Sequence, residues 1–214
     1  MDEEIAIIDA NTRNNKIKNF FIKNKKILIV VISIIIFIFI GYFSYDEINK
    51  RNKIKVANQY NLAIINYNTE EKKKVIDELT ELVNKKDTTY SPLALYFLID
   101  NDLVKDKNEI NNLFDVLINQ TKLESEIKNL IVYKKALYNS DISSENELIQ
   151  ILNPIINSES IWKSHALYLM AEYFYSKNER QKAKEFFNQI LTLSNSNVEI
   201  KSESKKRLNR DFGE

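Results

Sequence analysis

The sequence ILIVVISIIIFIFIGYFSY, at residues 27–45, decides how this chain is organised. It has no charged side chain, and only Gly41 and two serines interrupt its aliphatic and aromatic residues. Because an α-helix rises about 1.5 Å per residue, the segment is about 28 Å long as a helix. This length matches the hydrocarbon core of a bilayer, which is about 30 Å thick. The segment therefore predicts a single transmembrane helix.

Two other interpretations of this segment fit less well. A cleaved signal peptide has a short basic n-region, about 7–15 apolar residues and a cleavage site made of small residues. Here the long stretch 1–26 precedes the segment, and Tyr42, Phe43, Ser44 and Tyr45 at its end offer no such site. A buried helix of a soluble protein is seldom apolar on every face over this length. An uncleaved membrane anchor fits the sequence best.

The charges that flank the segment predict its orientation. Residues 12–26 before it carry six Lys or Arg, whereas residues 46–60 after it carry four. Since the more basic flank stays inside and long domains are translocated largely regardless of charge, we expect residues 1–26 in the cytoplasm and residues 46–214 outside. The tail begins acidic and becomes basic toward the membrane, which favours a short helix on the inner leaflet; a docking segment for a membrane partner is the alternative.

The composition of residues 46–214 excludes several classes of function. The whole chain has 31 basic and 30 acidic residues, of which 6 basic and 4 acidic ones lie in the tail, so residues 46–214 have 25 basic and 26 acidic residues. This balance does not indicate nucleic-acid binding. The chain has no cysteine, and Gly213 is its one glycine after the apolar segment, so disulfides, thiolate chemistry and glycine-rich phosphate loops are excluded. Its one histidine, His165, excludes two-histidine metal motifs and is expected to face solvent. We predict no catalytic residue, cofactor or metal, and a protein that is not an enzyme.

Beyond Tyr45 the apolar residues recur with the helical period of 3.6, and no stretch alternates like a strand. This pattern predicts an all-α domain. Ser91 is expected to cap a helix that Pro92 opens, and Pro154 is expected to kink or shorten one. We expect helices at about 46–67, 71–86, 91–105, 107–121, 125–139, 144–157, 160–177 and 179–194, and a solvated terminal helix within 198–212.

A spacing of apolar residues repeats along this domain. Ala183 is followed by Phe187 at +4 and by Ile190 at +3 more. The same spacing occurs in three earlier sets of residues: Val75, Leu79 and Leu82; Ile110, Phe114 and Leu117; Leu148, Leu152 and Ile155. The first residues of the four sets are 35, 38 and 35 positions apart. The preceding helices carry Ala63, Ile99, Ala136 and Ala171 at corresponding positions, and Phe174 follows Ala171 by three. An irregular helical bundle is the alternative, because any amphipathic helix shows such spacings.

The best unit, residues 171–190, resembles a tetratricopeptide repeat. The resemblance implies about four helix pairs in an α-solenoid, in which the small residues lie where paired helices touch and the aromatic and aliphatic residues fill the space between repeats. Asn178, Ile190 and Asn195 depart from the family pattern, which has glycine, alanine and proline there. The same register predicts that Tyr173 and Tyr175 lie opposite the packed stripe and form a partner surface.

A charged tail, one anchor and degenerate repeats together resemble the ancillary subunits of the SecYEG translocon, the YfgM type. The resemblance implies a non-catalytic protein in the bacterial inner membrane, with its repeats in the periplasm. It also implies protein partners, namely translocon subunits, a periplasmic chaperone and exported polypeptides, with neither nucleic acid nor a small-molecule substrate. An assembly factor for another envelope or cytochrome complex and a purely structural tether are the alternatives.

Overall fold

A computed structural model describes residue 16, residues 18–67 and residues 72–213 of the chain. All regular secondary structure in this part of the chain is helical, as the sequence predicts. Residues 18–23 are helical and end in a turn at Asn24, whereas the acidic start of the predicted tail lies outside the described residues. The helices that follow are α1 (Lys25–Asn66), α2 (Lys72–Asn84), α3 (Tyr90–Asp100), α4 (Lys107–Gln120), α5 (Ser125–Asn139), α6 (Glu145–Ile156), α7 (Lys163–Ser176), α8 (Arg180–Thr192) and α9 (Val198–Phe212).

Helix α1 contains the apolar segment and is long and apolar enough to cross a membrane. None of its most apolar window is buried, so this part of the helix does not belong to a protein core. The helix continues to Asn66 because neither glycine nor proline follows Gly41 within it. The chain divides within α1 into two units, Met1–Lys55 and Val56–Glu214.

The start of α3 differs from the prediction that Ser91 caps it. The helix begins at Tyr90, and the carboxylate of Asp87 accepts hydrogen bonds from the backbone N–H groups of Thr89 and Tyr90, at 2.8 and 2.7 Å. Ser91 is instead fully buried, and its hydroxyl donates to the Leu82 carbonyl at 2.6 Å. Pro92 consequently lies in the first turn, where its missing N–H leaves no helical hydrogen bond unmade.

The end of α3 also differs from the prediction, which extended this helix to residue 105. The helix ends at Asp100, and Asp102 adopts a left-handed conformation with φ of 50°. The N–H of Leu103 then donates back to the carbonyl of Leu98 at 2.9 Å, which closes the helix as C-terminal capping motifs do. In α6, Pro154 is followed by only two more helical residues, in agreement with its predicted shortening effect.

The hydrophobic core of residues 56–214 forms two clusters of buried side chains. The first extends along the sequence from Ala63 to Ile131, and the second extends from Val132 to Leu208. From α2 to α9 each helix packs against the next one in the chain, and α2 with α4, α5 with α7, and α7 with α9 also pack together. The side chains of each helix therefore meet mostly helices one or two places away in the sequence.

Candidate partner-binding surface

The residues predicted to pack between repeats are placed in the core with one exception. Ile99 is only partly buried and lies against the first cluster. The others are at most 2 % exposed: Ala63, Val75, Leu79, Leu82, Phe114, Leu117, Ala136, Leu148, Leu152, Ile155, Ala171, Phe174, Ala183, Phe187 and Ile190. The small residues thus lie where a larger side chain has no room, which permits close approach of neighbouring helices.

The prediction that Tyr173 is a surface residue is wrong. Its side chain is 8 % exposed, and its hydroxyl donates to the carbonyl of Ser143 at 3.1 Å. The reason is that α7 packs against α5, α6, α8 and α9, so it is buried on more than one face. Tyr173 is therefore a core residue of the second cluster.

Tyr175, the other predicted surface residue, is partly buried beneath the last helix. The guanidinium carbon of Arg207 lies 4.3 Å from the centroid of its ring, and the ring of Phe212 lies 6.0 Å away. Both residues belong to α9, which the sequence indicated only as a solvated cap. The contacts between α7 and α9 consequently occupy the face that was assigned to a partner.

A row of tyrosines on α1, α3, α5 and α7 is not among the residues predicted to pack between repeats. Each tyrosine precedes the corresponding small or aliphatic position by three, and the spacings are 36, 37 and 35: Tyr60, Tyr96, Tyr133 and Tyr168. All four rings are partly buried. This nearly constant spacing is visible in the sequence. A search for repeats that also covers the residues three positions before Ala63, Ile99, Ala136 and Ala171 would have found the row.

Burial is the main cause that raises the pKa of all four phenols in the tyrosine row. The pKa rises to about 12 for Tyr96 and for Tyr168. In both of these a carboxylate at +4 on the same helix adds to the effect: Asp100 beside Tyr96 and Glu172 beside Tyr168. The equivalent positions in α3 and α7 thus share a ring, a hydroxyl and a neighbouring carboxylate.

The tyrosine row contacts helices on either side of it. The Tyr60 ring lies 5.7 Å from that of Tyr90, at the start of α3, and the Tyr133 ring lies 6.0 Å from that of Trp162, just before α7. These two pairs are equivalent, because in each a tyrosine on one helix meets an aromatic residue at the start of the helix two places later. The row therefore links alternate helices of the domain.

Polar contacts also connect alternate helices at a nearly constant sequence separation. Four such contacts join residues that are 34, 33, 37 and 35 positions apart: Glu126 with Ser160 at 2.7 Å, Ser164 with Asn197 at 3.2 Å, Glu145 with Lys182 at 2.9 Å, and Glu172 with Arg207 at 2.8 Å. These separations match the spacings of the tyrosine row. The spacing of the tyrosine positions and the separations of the polar contacts within residues 126–207 thus share a period close to 35 positions.

No protein-family model, curated protein or solved structure matches the chain. Within the described residues, no group of three or more His, Asp or Glu side chains is placed to hold a metal ion. The function of the chain must therefore be inferred from its own contacts.

The prediction that His165 faces solvent is also wrong. The imidazole is partly buried, with its ring 5.1 Å from the ring of Trp162 and 5.8 Å from that of Tyr133. Its Nδ1 atom is buried and has no hydrogen-bond partner within the described part of the chain. Burial lowers the pKa of His165, whereas the backbone of Ile161 and the carboxylate of Glu199 act in the opposite direction.

We expect acid to destabilise the domain through His165. Because its pKa in the folded state is below the ordinary value of 6.5, the unfolded chain binds a proton that the folded chain does not, so stability is full above pH 6.5 and falls as the pH decreases from there. One such proton changes the free energy of unfolding by at most about 1.4 kcal/mol per pH unit, and the partial exposure of the ring makes the slope smaller. Urea unfolding at pH 7.5, 6.5 and 5.5 measures this slope. The His165→Phe variant should lose it, and an unchanged slope in that variant would assign the effect to other groups.

Proposed function

We propose that the chain is a membrane-anchored, non-catalytic protein-binding module of the bacterial inner membrane, which associates with the Sec translocon and assists exported proteins. The observation that carries the binding role is the common period, close to 35 positions, in the tyrosine row and in the polar contacts between alternate helices. The association with the translocon rests on the resemblance of the tail, anchor and repeats to YfgM-type subunits. A period in this range is typical of tetratricopeptide repeats, which bind other proteins rather than transform substrates. The absence of cysteine and the packing of the one histidine among aromatic rings also favour a binding role.

In this proposal the domain is a tetratricopeptide-like α-solenoid. Its helix pairs are the end of α1 with α2, α3 with α4, α5 with α6, and α7 with α8. Contacts between alternate helices are what stacking of repeats requires, because each repeat buries its apolar face against the next one. Helix α9 serves as the terminal cap, since it packs against α7 and α8 and carries exposed Lys201, Lys205 and Arg210 on its outer surface.

The proposal places residues 27–45 of α1 across the membrane, with the N-terminal tail in the cytoplasm and residues 46–214 in the periplasm. The excess of Lys and Arg before the apolar segment supports this orientation. Exposed apolar side chains on every face of the segment suit a lipid environment.

Single-cysteine variants test the orientation without background labelling, because the chain has no cysteine of its own. We expect a membrane-impermeant maleimide added to intact spheroplasts to label Ser202→Cys on α9 and to leave Asn11→Cys, in the tail, unlabelled. Permeabilised cells, in which both variants should react, provide the control. Labelling of Asn11→Cys alone in intact spheroplasts would reverse the proposed orientation.

A crosslinking pull-down of the full-length chain from native membranes in mild detergent tests the function. We expect translocon subunits and exported polypeptides to be recovered with it, and to be lost from a variant without residues 1–45. Recovery of one dedicated envelope or cytochrome complex, with no translocon subunit, would overturn the association with the Sec system. That result would identify the chain as an assembly factor for the recovered complex.

A further inference from the structure

A cleft opens between α3, α4 and α5, beside one member of the tyrosine row. Its volume is about 220 Å³, which is below the roughly 300–1,000 Å³ of pockets that enclose a whole small-molecule ligand. Its lining includes Tyr96, Ile99 and Asp100 of α3, Phe114 of α4, and Lys134, Leu137 and Tyr138 of α5. The volume therefore suits one side chain of a larger partner.

Two charged groups at this cleft have no oppositely charged partner in the described part of the chain. The ammonium of Lys134 lies 4.1 Å from the centroid of the Tyr96 ring, but neither Lys134 nor Asp100 forms an ion pair with any residue that the structure describes. Among the apolar lining residues, Leu137 is 50 % exposed. The cleft thus offers one cation, one anion and an exposed apolar wall.

We propose that this cleft binds the apolar side chain of an extended polypeptide segment, in which an acidic residue lies on one side of that side chain and a basic residue on the other. This inference rests on the proposed function and names the chemistry of the bound segment. The apolar side chain packs against Ile99 and Leu137, and its flanking carboxylate and ammonium groups pair with Lys134 and Asp100.

Charge complementarity selects this occupant over a uniformly charged one. A purely acidic segment would place a carboxylate beside Asp100, and a purely basic one would place an ammonium beside Lys134. An apolar side chain without flanking charges would leave both of these charged groups unpaired. A segment with opposite charges on its two sides is the polypeptide chemistry that fits both groups.

Photo-crosslinking to the full-length chain in phospholipid nanodiscs tests the proposal. The probe is a short blocked peptide with photo-leucine at its centre, glutamate two positions before it and lysine two positions after it, and glycine and serine elsewhere. Side chains two positions apart lie on the same face of an extended chain. We expect crosslinks to concentrate on α3 and α5 around the cleft. An unlabelled peptide with central leucine should suppress them, whereas the same peptide with central glycine should not.

Two substitutions of exposed residues make the test specific. Leu137→Glu should reduce crosslinking to the cleft about tenfold, because it places a charge where the apolar side chain packs. Ile142→Glu, at a residue that is 59 % exposed and does not line the cleft, should leave the yield unchanged.

A charge reversal tests the ion pair with the bound segment. Lys134→Glu should weaken binding of the peptide about twofold to fivefold, because it places two carboxylates side by side. A peptide with lysine in place of its glutamate should bind this variant as well as the original peptide binds the unmodified chain. If the two peptides bind the variant equally, Lys134 does not pair with the segment.

Crosslinks spread over the domain, or a yield that Leu137→Glu leaves unchanged, would overturn the proposal. Failure here is distinguishable from failure of the proposed function. If the pull-down recovers translocon subunits while the peptide does not label the cleft, the function stands and the cleft is not its binding site. If the peptide labels the cleft while the pull-down recovers no exported chain, the site stands and its client is a different protein.

Discussion

Phe187→Ala is expected to lower the free energy of unfolding by about 3–5 kcal/mol, the range found when a buried phenylalanine is truncated. The Phe187 side chain is fully buried in α8. Its ring lies 5.6 Å from that of Tyr168 on α7 and 6.2 Å from that of Phe212 on α9. Truncation therefore removes contacts with two other helices at once and leaves a cavity where they meet.

Urea unfolding of the full-length chain in mild detergent measures this loss. Trp162 is the one tryptophan of the chain and packs against the second cluster, so its fluorescence reports on the affected region. Phe186→Ala is the matched control, because Phe186 is the neighbouring residue and is only partly buried. We expect the control to lose clearly less stability, and equal losses would contradict the assignment of Phe187 to the junction of three helices.

Arg207→Ala is expected to cost about 2–3 kcal/mol and to loosen α9 from the rest of the domain. The Arg207 side chain is 11 % exposed, and its Nε and Nη2 atoms donate to the two carboxylate oxygens of Glu172, each at 2.8 Å. Removing one partner of a buried pair costs about 3–5 kcal/mol, whereas exposed pairs contribute about 0–1 kcal/mol. The Glu172 side chain is 36 % exposed, so the expected value lies between these ranges.

The same unfolding experiment, together with hydrogen exchange of the α9 amides, measures the effect of Arg207→Ala. Arg207→Lys keeps the charge but not the two parallel hydrogen bonds, and we expect it to restore only part of the stability. Lys205→Ala, at an exposed residue of the same helix, should change little. If the variants at 207 and 205 behave alike, the contact with Glu172 does not hold α9 in place.

The sequence predicts the helices of this chain well because their apolar periodicity is strong and their interruptions are few. The bounds of α4 to α8 lie within three positions of the expected ones. The predicted end of α3 and its predicted capping residue were wrong for local reasons. Asp87 satisfies the first backbone N–H groups in place of Ser91, and Asp102 takes a left-handed conformation that is uncommon in a residue other than glycine.

Which face of a helix is free depends on all the helices packed against it, and a single stripe of apolar residues does not reveal this. The stripe that contains Ala171 and Phe174 left Tyr173 and His165 apparently outside the core. In the structure α7 has four neighbours, so Tyr173 is buried and His165 lies among aromatic rings. The contact between Glu172 and Arg207 was equally hidden, because pairing of residues so far apart in sequence depends on how the helices pack.

The division of the core between Ile131 and Val132 has a consequence for synthesis. Every buried member of the first cluster lies at or before Ile131, so all of these side chains have been made before most of the second cluster. A chain is synthesised from its N-terminus, and units with local contacts can fold as they emerge. The first half of the domain can thus bury its apolar surface during synthesis, without waiting for the half that follows.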